Sequence, residues 1–124
     1  GGIMKKLILP IVGLLLLSAC ANGATVTKIS ADKAKEMMDT QEVIVVDVRT
    51  QAEYNEGYIP NAILIPNESI EGEPKELTDK NATILVYCRS GNRSAQAAKK
   101  LVDLGYTNVY DFGGIIDWPY EIVN

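Results

Sequence analysis

The chain contains no histidine. That excludes a Ser-His-Asp triad, a cysteine-histidine pair and every histidine-based metal site; neither a metal nor another cofactor is expected. Basic residues are also outnumbered, with 12 Lys and Arg against 16 Asp and Glu and a net charge of −4. Phosphate contacts need clustered Lys and Arg, so nucleic acid is not an expected partner. No apolar run is long enough to span a bilayer. Leu7 to Ala19 covers only 13 residues, and at about 1.5 Å per residue it falls short of the ~30 Å a spanning helix needs. Internal repeats and low-complexity tracts are lacking too, and cysteine occurs only twice, as Cys20 and Cys88.

The N-terminus carries the pattern of an export signal. Gly1, Gly2 and Ile3 precede Met4 and read as a cloning scar (1–3). From Met4 come Lys5-Lys6, the apolar run and Cys20, a charged start followed by a short apolar stretch and small residues. Leu17-Ser18-Ala19-Cys20 resembles the bacterial lipoprotein signal box. The resemblance implies a signal peptide over 4–19, cleaved so that Cys20 leads the mature chain with a diacylglyceryl group on its thiol. Two or more acyl chains make such an anchor stable. The expected location is therefore outside the cytoplasm, lipid-anchored to the outer face of the cytoplasmic membrane or to the outer membrane. Residues 20–24 form the lipid anchor and tether, and 25–124 the folded domain. The 105 mature residues keep 10 basic and all 16 acidic side chains, a net charge of −6, and suffice for one domain. With Cys20 tied to lipid, Cys88 becomes a lone thiol in an exported protein, a pattern that marks a reactive group.

Past the tether, strand-like runs alternate with helical stretches, which predicts a parallel sheet with crossover helices. Val26 to Ile29 reads as a first strand, and Ser30 as the N-cap of a helix from Ala31 to Thr40 with Ala34, Met37 and Met38 on its buried stripe. Val43 to Val48 is a continuous β-branched strand. Thr50-Gln51-Ala52-Glu53 is a capping box opening a helix that Gly57 ends. Ile63-Leu64-Ile65 is a third strand, and the acidic segment from Glu68 to Lys80 is expected to hold a short helix. Thr83 to Tyr87 forms the second strong core strand, with Cys88 at its end. A helix from Ser94 to Leu104 follows, with Ala95, Ala98, Leu101 and Val102 at helical spacing, and Val109 to Phe112 is the last strand.

Ligands bind at the carboxyl ends of strands in open parallel sheets, and Cys88 sits there, on a loop entering a helix. The unpaired N–H groups and positive dipole end of that helix, together with a loop that curls through Gly91, form an anion cradle. Arg89 and Arg93 add positive charge. All three features favour thiolate over thiol, so Cys88 is expected to be a nucleophile.

Tyr87-Cys88-Arg89-Ser90-Gly91-Asn92-Arg93-Ser94 resembles the active-site loop of the rhodanese family. Val45-Val46-Asp47-Val48-Arg49, Glu53-Tyr54, Gly57-Tyr58-Ile59-Pro60-Asn61-Ala62, Gly113-Gly114 and Trp118 match further family motifs in the same order. The resemblance spans Val26 to Trp118. It implies a rhodanese-like α/β fold, a five-stranded parallel sheet flanked by helices. It also implies a sulfurtransferase in which Cys88 carries sulfur as a persulfide from a sulfane donor such as thiosulfate to a thiol or cyanide acceptor, or alternatively to an acceptor protein. Arg89, Ser90, Gly91, Asn92 and Arg93 would bind the anionic sulfur or steer the donor. Asp47, Arg49 and Ser94 would support the loop, with Arg49 pairing a carboxylate for which Glu53 is the candidate. Where the family commonly has Gly-His-Ile-Pro, this chain has Gly57-Tyr58-Ile59-Pro60.

Two rival functions are weighed against this one. Phosphatases of similar fold use Cys-x5-Arg, and Cys88 to Arg93 is Cys-x4-Arg, a loop suited to a sulfur atom rather than a tetrahedral phosphate. A domain that binds a partner, or carries sulfur without turnover, would retain the fold; inactive members typically lack the cysteine that this chain keeps.

Overall fold

The computed structural model describes residues 23–124; the expected scar, signal peptide, Cys20 and the start of the tether lie outside the described residues. Five strands form one parallel sheet in the order β1-β5-β4-β2-β3, the fold class the sequence predicts. They are β1 (Thr27–Lys28), β2 (Ile44–Asp47), β3 (Ile63–Leu64), β4 (Thr83–Cys88) and β5 (Asn108–Gly114). The helices are α1 (Ala31–Thr40), α2 (Gln51–Glu56) and α3 (Asn92–Asp103). Among the described residues no helix is long and apolar enough to cross a membrane.

Side chains alternate across a strand, and β4 shows what this does for the site. Leu85 and Tyr87 join Ala34 and Met37 of α1 in one apolar cluster. Ile84, Val86 and Cys88 join Ala97, Ala98 and Leu101 of α3 in the other. Cys88 thus belongs to the face that α3 covers, at the carboxyl end of the central strand.

Several boundaries differ from expectation. β1 and β3 are only two residues each, sitting at the two rims of the sheet where a single neighbour sustains pairing. The acidic segment forms one 3-10 turn, Asn67–Ser69, and no α-helix, consistent with Gly72 and Pro74 interrupting any helical run. α3 starts two residues early because Gly91 adopts a left-handed N-cap conformation at φ 108. Asn92 and Arg93 are therefore its first helical residues rather than loop. The buried stripe of α3 runs through Ser94, Ala97, Ala98 and Leu101; Ala95 is exposed.

Candidate active site

β4 ends in an irregularity between Val86 and Cys88 that places Cys88 opposite Gly114 of β5. The chain then turns through Arg89 and Ser90, both exposed, into Gly91. The Gly91 N–H donates to Cys88 Sγ at 3.0 Å, a contact that requires the left-handed backbone glycine adopts without strain. Among the described residues the N–H groups of Asn92, Arg93 and Ser94 have no protein acceptor, as expected for a first helical turn. Ser94, fully buried, donates its hydroxyl to Gly91 O at 3.1 Å and holds the turn from beneath. The structure thus brings Cys88, Gly91 and the start of α3 together as the sequence predicts. Cys88 is nonetheless only 1% exposed, so its sulfur lies under the loop rather than on top of it.

Asp47 and Arg49 occupy the neighbouring strand end and are both buried. Arg49 pairs with Asp47, not with Glu53: Nε donates to Asp47 Oδ1 at 3.0 Å and Nη2 to Oδ2 at 2.7 Å. The Arg49 N–H also reaches Asp47 Oδ1 at 2.9 Å, so the turn that follows β2 folds the guanidinium back onto its own strand. A further bond runs from Arg49 Nη2 to Gly57 O at 2.6 Å. Burial acts against the Arg49 charge, but the Asp47 hydrogen bonds and charge outweigh it and raise the pKa. Tyr87 donates to Asp47 Oδ2 at 2.7 Å and accepts from Ile59 N–H at 3.1 Å; burial first, then the Asp47 bond, pushes its phenol up. The network locks β2, β4 and the Gly57 segment together without touching the sulfur.

Glu53 is used elsewhere. Its carboxylate takes Arg93 Nη1 at 2.8 Å and Nη2 at 3.0 Å, while Oε1 also receives the Thr50 N–H and hydroxyl of the expected capping box. Arg93, proposed from sequence as a free anion-steering group, is thereby committed to a carboxylate. The Arg93 hydrogen bond is the main reason the Glu53 pKa falls from 4.5 to about 2. A depressed carboxyl stabilises the fold above its unfolded pKa and loses that contribution as pH drops through the folded value. Urea titrations across pH should therefore show a Glu53-dependent decline between about 4.5 and 2, and Glu53→Gln should flatten it. A decline of equal slope in the variant would show that the pair carries no linkage.

Two contributors, Ile116 and Asp111, escaped the sequence reading, and Gly114, read there only as part of the Gly113-Gly114 motif, gains its physical reason. A Cβ on Gly114 would run into Arg89 O and come within 2.6 Å of Ser90 Cα; the loop crosses β5 where only glycine leaves room. Ile116 N–H donates to Arg89 O at 3.2 Å, fastening the same crossing. Asp111, 1% exposed, accepts from Gly113 N–H at 3.0 Å and orients the glycine pair. Gly114 and Ile116 act through a non-local backbone approach, and Asp111 through a bond to a residue two positions along the chain. Gly114→Ala should displace the loop, costing about 1–3 kcal/mol of stability and on the order of 100-fold in any rate that depends on Cys88. Normal kinetics in that variant would show the crossing to be slack.

Tyr58, in place of the family's usual imidazole, stacks on Tyr54 with centroids 4.1 Å apart, while its backbone bridges Val123. A cleft of about 530 Å³ lies away from the loop between Lys35, Val43, Pro60, Trp118 and Tyr120. Among the described residues no group of His, Cys, Asp and Glu is placed to hold a metal.

Residues 30–119 match the rhodanese-like domain model. A sulfurtransferase of Allochromatium vinosum is 40% identical over 90 residues, 72% of this chain and 83% of the relative. A tRNA uridine(34) hydroxylase of Yersinia pestis is 32% identical over 96 residues, but this chain spans only 27% of its length. Among solved structures, a rhodanese with anions from E. coli superposes with TM-score 0.62 and 34% identity, covering 67% of this chain and 99% of that one.

Proposed function

The chain belongs to the rhodanese-like domain family, and we propose that it transfers sulfane sulfur through a persulfide on Cys88. The observation that carries this reading is the Gly91 N–H on Sγ at 3.0 Å, beside first-turn amides that are free among the described residues. Such donors stabilise negative charge on sulfur and stay available when the anion lengthens by one atom. In the first half-reaction the Cys88 thiolate attacks the outer sulfur of a donor such as thiosulfate. A new S–S bond forms, the bond to the sulfonate sulfur breaks, and sulfite departs. A thiolate or cyanide then attacks the terminal sulfur, taking it away and returning the Cys88 thiolate. No cofactor enters the balance. Intact mass after incubation with thiosulfate should rise by about 32 Da, the mass of one added sulfur.

The 1% exposure of Cys88 favours a second reading, a domain that binds a partner or holds sulfur without turning over. Repeated turnover with cyanide separates the two: thiocyanate in excess of protein supports the enzyme, and a stoichiometric burst supports the carrier.

The site is further proposed to work at a membrane, through lipid on Cys20, with a small sulfur acceptor or an acceptor protein nearby. Cys20→Ala should shift the protein from the membrane to the soluble fraction of expressing cells; an unmodified, soluble Cys20 in the parent would end that part of the proposal.

A further inference from the structure

The chain has three arginines, Arg89 and Arg93 in the cysteine loop and Arg49 at the neighbouring strand end, yet two are neutralised. Arg49 is buried against Asp47. Arg93 is held by Glu53 through two bonds of 2.8 and 3.0 Å. With its carboxyl drawn down to about 2 by Arg93, Glu53 remains ionised throughout the physiological range. Glu68 adds a second carboxylate whose charge acts on Arg93, from a turn where its Oε2 lies 3.5 Å from Asn67 Nδ2. Arg89 is exposed and has no ion pair among the described residues. Among the described residues it is the one cation of the three without an ion pair.

Thiosulfate brings two negative charges, and sulfite carries two away. The amides of α3 serve the sulfur that stays, so the departing group must be met by side chains at the mouth. With Arg93 bound to Glu53 and the charge of Glu68 also acting on it, the loop is poorly matched to a dianion. We infer that Glu53, by tying up Arg93, sets the donor class: the site takes a neutral or singly charged organic hydropersulfide in preference to thiosulfate. The inference rests on the sulfur-transfer reading above. In that step the Cys88 thiolate attacks the terminal sulfur of R–S–SH. The new S–S bond forms as the old one breaks, R–S⁻ leaves, and Cys88 becomes Cys–S–SH with its proton retained from the donor.

The test measures second-order loading of Cys88 by intact mass, with cysteine hydropersulfide and with thiosulfate, in the parent and in Glu53→Gln. Intrinsic donor reactivity cancels when the ratio of the two rates is compared between proteins. Glutamine at the third helical position keeps a capping box, so the variant removes charge without removing the cap. The ratio should move toward thiosulfate by about tenfold, the scale of one rim charge at modest ionic strength. Glu68→Gln, which disturbs no cap, should move it the same way by a smaller factor. A ratio unmoved in both variants, or moved toward the hydropersulfide, overturns the inference. A parent protein that gains no sulfur from either donor instead overturns the sulfur-transfer reading beneath it.

Discussion

Replacing Cys88 by serine should abolish sulfur uptake while leaving the fold in place. A hydroxyl at this position is a far weaker nucleophile than a thiolate, and it cannot hold a sulfane sulfur in an exchangeable S–S bond. The structural cost should be small. Serine is similar in size, and its buried oxygen would inherit the Gly91 N–H that now points at Sγ, so no polar group is left unsatisfied. The expected result is a gain of ~32 Da in the parent and none in the variant, with superimposable circular dichroism. Because Cys20 is the other cysteine in the chain, the added sulfur must be located by peptide mapping. A parent protein whose added sulfur maps elsewhere, with Cys88 unmodified, would refute the assignment of Cys88 as the carrier.

The second large effect concerns stability rather than chemistry. Asp47→Ala should cost about 3–5 kcal/mol, because it strands the buried Arg49 guanidinium without its counter-charge. Against the 5–15 kcal/mol that holds typical domains together, such a loss is severe. Asp47 accepts from Arg49 and from the Tyr87 hydroxyl at once, so its removal loosens both strand ends beside Cys88. Asp47→Asn keeps the acceptor oxygen and should cost less. Urea unfolding of the parent and both variants checks the ranking. An Asp47→Ala midpoint close to the parent's would show that Gly57 O and the Tyr87 ring suffice to hold the cation.

The sheet, its parallel direction and the position of Cys88 were legible because each rests on local pattern. Val43 to Val46 and Ile84 to Val86 are continuous apolar runs, and Ser30 and Thr50 cap their helices as written, accepting from Lys33 N–H and Glu53 N–H. Legibility failed where partners come from distant parts of the chain. The sequence offers Arg49 two carboxylates, Asp47 and Glu53, and only the fold-back of the turn after β2 selects the nearer. Arg93 and Glu53 are 40 positions apart, so neither could be seen to silence the other. On α3, alanines at 95, 97 and 98 make the stripe ambiguous by one step. Packing against β4 chooses Ala97 and Ala98 and leaves Ala95 in solvent. The requirement for glycine at 114 is likewise invisible until the cysteine loop is laid across it.

The brevity of the two outer strands has a consequence for the protein in company. A sheet margin with a long row of open amides and carbonyls is a template on which another chain can grow, whereas a two-residue margin offers little to bind. Here one margin ends in Lys28 and the other runs on toward Pro66, which has no N–H to give. A chain that is 47% hydrophobic can therefore be crowded at high local density without its sheets joining end to end into fibrous aggregates.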